Sequence, residues 1–223
     1  MMIIKADAPK PEGQRVGPFL ISPSARWTGR LYQGRSDSTV FVITNDSQQP
    51  LRLTKASIEG QAFTAKLETL EEGKRWMVTA SSGARLRPGA LAETLIVATD
   101  SREFPELKIQ LNASVEAAVV ATPGRVDFGV LPISNPDYDV SHVGKFIFIR
   151  QTAGSGLKIK KVSSTLPFIK TEVKETTEGQ AYQMLITFDR EKMVAGTYTG
   201  KVILEVNNPD TPVLEISIAL RAQ

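Results

Sequence analysis

Apolar and polar residues alternate along much of this chain, and the alternation comes in two matching sets. In Pro105-Glu106-Leu107-Lys108-Ile109-Gln110-Leu111 every second position is apolar, and the phase recurs in Pro212-Val213-Leu214-Glu215-Ile216-Ser217-Ile218. A period of two puts Leu214, Ile216, Ile218 and Leu220 on one face of a strand. The apolar runs Thr39–Thr44 and Phe146–Arg150 correspond, as do Leu51 and Leu53 with Leu157 and Ile159. Further strands are expected around Phe63–Leu67 and Trp76–Val78, and around Phe168–Val173 and Tyr182–Phe188. Leu95–Thr99 and Val202–Val206 precede the alternating strands, and no amphipathic helix of useful length interrupts the pattern.

The repeat makes the chain a duplicated unit. Of its 223 residues, 1–115 form the first domain, with 1–16 as a flexible lead-in, and 116–223 form the second. No Gly/Ser-rich or Pro-rich linker separates them. Strands spaced by turn signals argue for all-β architecture: two tandem immunoglobulin-like antiparallel β-sandwich domains of about seven strands each. Segments 68–74 and 174–180 are expected as hairpin loops, and 24–29 as a turn-rich stretch after a first strand broken by Pro23.

One group of motifs resembles a known family. It comprises Thr122-Pro123, Val126-Asp127-Phe128-Gly129, Gly156-Leu157-Lys158-Ile159, Gly196-Thr197-Tyr198-Thr199-Gly200 and Asn207-Asn208-Pro209-Asp210-Thr211-Pro212. Residues 119–223 resemble the bacterial Ig-like repeats of a domain-of-unknown-function family, related to the abnormal-spindle/Hydin (ASH) and major-sperm-protein-like sandwiches. The first unit departs from the pattern at Trp27-Thr28-Gly29 and Leu91-Ala92-Glu93. The resemblance implies a sandwich and, for bacterial members, frequent export; it implies no catalytic residue.

Composition narrows the chemistry. Twenty-seven Lys and Arg against 24 Asp and Glu give a net charge of +3, with the two signs interspersed, which predicts no nucleic-acid partner. Zero cysteines exclude thiol catalysis and Cys-ligated zinc. No run has the roughly 18 apolar residues of a membrane span. The single histidine, His142, has Asp139 and Ser141 beside it, but neighbours on an extended chain point apart and do not make a triad.

Asn135–Asp139 and Asn207–Asp210 could offer oxygens to a cation, yet they are also what tight turns require, and the turn reading is preferred. Glu71-Glu72 reads as a solvated hairpin tip. Lys145, Arg150, Lys158 and Lys160 form a weak basic-patch candidate, with Phe146, Phe148 and Phe168 assigned to the core. No catalytic, cofactor-binding or metal-ligating residue is assigned, and a small-molecule substrate is not expected.

The leading expectation is a non-enzymatic protein-interaction or structural module, exported to the periplasm or cell surface, with the cytoplasm as the alternative compartment. A protein partner would pair along an exposed strand edge, for which Phe19, Ile21, Val119 and Val120 are the candidates, or dock on a sheet face. The alternatives are a periplasmic chaperone-like protein and a carbohydrate-binding accessory module using Trp27 or Trp76.

Overall fold

Residues 12–223 are described by a computed structural model. Most of them lie in strands, and the described residues hold two single-turn 3-10 helices, Val140–His142 and Arg190–Lys192, as their only helical elements. The chain divides into two compact units, one running through Leu31 and over Arg35–Glu116, the other comprising Tyr32–Gly34 and Ala117–Gln223.

The first unit contains β1 (Gln14–Val16), β2 (Phe19–Ser22), β3 (Arg26–Tyr32), β4 (Ser38–Asn45), β5 (Leu53–Glu59), β6 (Phe63–Glu71), β7 (Arg75–Ser82), β8 (Gly89–Thr99) and β9 (Glu106–Glu116). Its sheets run β1-β2-β4-β7-β6 and β3-β9-β8-β5. The second contains β10 (Val119–Thr122), β11 (Arg125–Leu131), β12 (Lys145–Gln151), β13 (Ile159–Ser164), β14 (Ile169–Thr177), β15 (Ala181–Phe188), β16 (Gly196–Val206) and β17 (Val213–Ala222). Its sheets run β10-β12-β15-β14 and β11-β17-β16-β13.

Leaving β1 aside, the two orders are one topology, the A-B-E-D and A′-G-F-C arrangement of immunoglobulin-like sandwiches. The fold expectation holds, with three refinements. Segment 24–29 is not a turn: β3 starts at Arg26, and its counterpart β11 pairs with β17 in parallel. In each unit the first strand changes sheet at a proline, Pro23 or Pro123, each preceded by a cis peptide bond. Proline has no N–H to continue a ladder, so the first pairing ends there. The lead-in is also shorter than 1–16, because Gln14–Val16 pairs antiparallel with Phe19–Ile21.

The hairpin loops are tighter than 68–74 and 174–180. Strands reach Glu71 and Thr177, leaving three residues in each loop, with Gly73 at φ 69° and Gly179 at φ 61° in the left-handed region. Both hairpins carry a bulge just before the turn, at Thr69/Glu71 and Glu175/Thr177. A glycine in that conformation beside a bulge is how three-residue hairpins close.

The repeated Pro105 and Pro212 have a shared task. Each carbonyl accepts the N–H of the last residue of the preceding long strand, Thr99 or Val206, at 2.9 Å, closing the β8–β9 and β16–β17 hairpins. Each unit then fills its own core. Ile43, Val78, Val97 and Ile109 are fully buried in the first; Ile149, Ile186, Leu204 and Ile216 are fully buried in the second. Burying such side chains stabilises each sandwich by roughly 1.5–3 kcal/mol per residue. The Gly-x-Tyr-x-Gly motif adds a corner: the Tyr198 hydroxyl donates to the Val194 carbonyl at 2.9 Å while its ring meets Phe168 edge-on at 4.9 Å.

Candidate functional site

The outer face of the β10-β12-β15-β14 sheet holds the least expected side chains of the second unit. Directly paired residues in an antiparallel ladder share a face. Register therefore sets Phe146 beside Leu185 and Glu172, Phe148 beside Thr122, Gln183 and Lys174, and Arg150 beside Val120 and Ala181. Ile147 and Ile149 point the other way, into the core. Phe146 and Phe148 are thus not core residues, as their sequence suggested: they are 51% and 55% exposed. Phe168 alone of the three is buried. In the first unit the equivalent outward positions of β4 carry Val40 and Val42, so the aromatic face belongs to the second unit.

Among the proposed edge residues, Phe19 and Ile21 are fully buried, and β2 is covered by β1 on one side and β4 on the other. That strand is therefore not an edge. β10 does end its sheet, but its Val119 side chain is core, leaving half-buried Val120 on the outer face next to Arg150.

The basic-patch candidates are not brought together. Lys145 pairs with buried Ile186 and so lies on the core side of β12, at its exposed end, whereas Arg150 lies on the outer face. Lys158 and Lys160 flank the start of β13 in the other sheet. With Lys161 they rim a cleft of about 670 Å³ whose apolar wall includes Leu157, Ile159, Val162 and Val173.

Two ionisable groups in that cleft are coupled. The Tyr182 hydroxyl lies 2.9 Å from both the Leu157 carbonyl and a Glu175 carboxylate oxygen, into which pair it donates its one proton. The same carboxylate oxygen accepts the Gly179 N–H at 2.7 Å. The Gly179 N–H and then the Tyr182 hydroxyl hold the Glu175 carboxyl below its ordinary range, while burial and the hydrogen bond to Glu175 push the Tyr182 phenol up. A carboxylate kept charged and a phenol kept neutral are the reverse of an acid–base pair poised near neutral pH.

The remaining motifs serve the backbone. Asn135 Oδ1 accepts the Asp137 N–H at 3.0 Å, and Asn208 Oδ1 accepts those of Asp210 and Thr211 at 3.0 Å. Asn207 bridges Lys158 N–H and the Gly156 carbonyl. The carbonyls of Ile133, Asn135 and Tyr138 converge on one cation already present in the chain, the Arg190 guanidinium. His142 Nδ1 meets Asp139 Oδ2 at 2.7 Å on the exposed surface. Trp76 is 2% exposed, and Trp27 packs edge-on against Phe63 at 5.9 Å, so the two do not form a sugar-stacking platform.

No protein-family model matches this chain, and no curated protein matches it. Solved structures do. A protein of unknown function from Porphyromonas gingivalis W83 is similar over 92% of this chain and 100% of its own, at 15% identity and TM-score 0.38. The titin tandem Ig domains A164–A165 are similar over 89% of this chain and 93% of theirs, at 11% identity and TM-score 0.29. Protocadherin gamma B7 cadherin domains 1–4 are similar over 90% and 50%, at 10% identity and TM-score 0.36. These likenesses concern fold alone. Among the described residues no helix is long and apolar enough to cross a membrane.

Proposed function

We propose that this chain is a non-catalytic, two-domain Ig-like module of the bacterial cell envelope that binds a protein partner through the outer face of the β10-β12-β15-β14 sheet. The observation that carries the reading is the pair of exposed phenylalanines, Phe146 and Phe148, set beside Leu185 on a rigid ladder. Covering the exposed half of such a ring contributes on the order of 1 kcal/mol, and aromatic side chains held without conformational freedom are favoured anchors of interfaces. The reading as non-catalytic is supported by the coupled cleft pair, whose protonation states suit structure rather than turnover. Placement in the envelope is supported by the family resemblance of residues 119–223.

The double substitution Phe146→Ser/Phe148→Ser tests this reading. Both side chains are half exposed and would lose only cross-strand contacts, so the double change should cost no more than about 2 kcal/mol and leave the domain folded. Partners captured from an envelope extract by the unaltered chain should be lost from the variant. Equal capture by a variant that melts normally would remove the face from consideration. Immunodetection in fractionated cells should find the protein with the envelope; a purely cytosolic pool would overturn that placement.

A further inference from the structure

β14 lies at the end of the same sheet opposite β10, hydrogen bonded to β15 on one side only. Its other side presents unpaired backbone groups, the usual template for adding a strand. The first unit has the same edge in β6, which also ends its sheet, but the charges there are satisfied within the strand. There Lys66 and Glu68 pair with each other at 3.0 Å, and β6 packs beside β5. The equivalent positions of β14 carry the opposite signs, Glu172 and Lys174, both exposed and neither in an ion pair among the described residues.

These charges select a partner strand. An antiparallel strand centred on Val173 must offer a cation opposite Glu172 and an anion opposite Lys174. The two-fold image of β14 offers both. In that register Glu172 meets Lys174 of the second copy and Lys174 meets its Glu172, Thr171 meets Glu175, and Lys170 meets Thr176. No like charges oppose. Shifting the centre to Glu172 sets that carboxylate against itself and Lys170 against Lys174. A centre at Thr171 would again pair opposite charges, Lys170 with Glu172, but with a shorter overlap and a Lys170 already 3.5 Å from Asp189.

We propose that two copies of this chain associate through antiparallel pairing of their β14 strands about Val173. The charges that guard the edge against other strands admit its own image. The two copies share one continuous sheet, with the Phe146 and Phe148 of each on it, and a repetitive partner is then bound with avidity. This association does not depend on the phenylalanine face being a docking site.

Sedimentation of the full chain at several hundred micromolar tests it. The unaltered protein should sediment as two copies, Glu172→Lys and Lys174→Glu each as one, and Glu172→Lys/Lys174→Glu as two again. Molar salt should weaken the association, since exposed pairs are screened over about 3 Å at that strength. A single-copy unaltered protein overturns the proposal, and so does a double swap that stays single-copy. Association that survives Lys174→Glu points to another register or surface and equally overturns it. Phe146→Ser/Phe148→Ser should remain two copies; if it separates, the phenylalanine face and not β14 holds the copies together.

Discussion

At the scale of single residues, most polar side chains that looked chemically promising are committed to backbone groups. Asn45 shows how completely: its amide donates to the Gln49 and Gly73 carbonyls at 2.8 and 3.0 Å, and its oxygen accepts the Ser47 N–H and hydroxyl. Glu175 is the residue whose commitment can be titrated. Tyr182→Phe removes a donor from its carboxylate while the Gly179 N–H remains, so the Glu175 carboxyl should titrate closer to its ordinary range, though still below it. Carboxyl-carbon NMR across acid pH reads this directly; an unmoved titration would mean that the hydroxyl serves only the Leu157 carbonyl. Asp189 is depressed as well, first by its hydrogen bond from Lys192. A depressed carboxyl contributes stability that is present above its unfolded-state pKa and lost as pH falls through its folded-state value. Denaturant midpoints should therefore fall as pH drops below about 4, and fall less in Tyr182→Phe.

At the scale of elements, period-two patterning fixed whatever strand had one wet face and one dry one. β9 and β17 alternate cleanly, and their inward residues were identifiable from sequence alone. Ile216→Ala, which empties a fully buried site in a central strand, should cost about 2–5 kcal/mol by chemical denaturation. A loss below about 1 kcal/mol would mean that β17 is not where its pattern puts it. The pattern failed where alternation was absent or masked. Phe146-Ile147-Phe148-Ile149 is apolar at every position, so it has no phase, and only pairing with Leu185 and Gln183 decides which rings are outside. β3 was illegible for a related reason: Arg26, Thr28 and Arg30 leave it mostly polar, and the prolines beside both β3 and β11 read as turns. The candidate face was hidden for the same cause, since it needs the register of three strands at once.

At the scale of the whole molecule, duplication preserved the strand order and released the surfaces. Core positions share their character between copies, whereas equivalent outward positions differ: Val40 and Val42 against Phe146 and Phe148, and Lys66 and Glu68 against Glu172 and Lys174. Packing constrains volume inside a sandwich, but little constrains the wet face of a sheet, so new binding surfaces arise there first. A second copy free to vary its surface must carry its own folding information. It has a separate core around Ile149, Ile186, Leu204 and Ile216 and a complete pair of four-stranded sheets. We therefore place the boundary between Glu116 and Ala117 and expect residues 117–223, expressed alone, to give a β-rich circular dichroism spectrum and one cooperative thermal transition. Because the fragment keeps β14 whole, it should also keep the charge-dependent association of the full chain. A fragment that is unfolded, or that melts without cooperativity, would show that the repeat in sequence is not a repeat in stability.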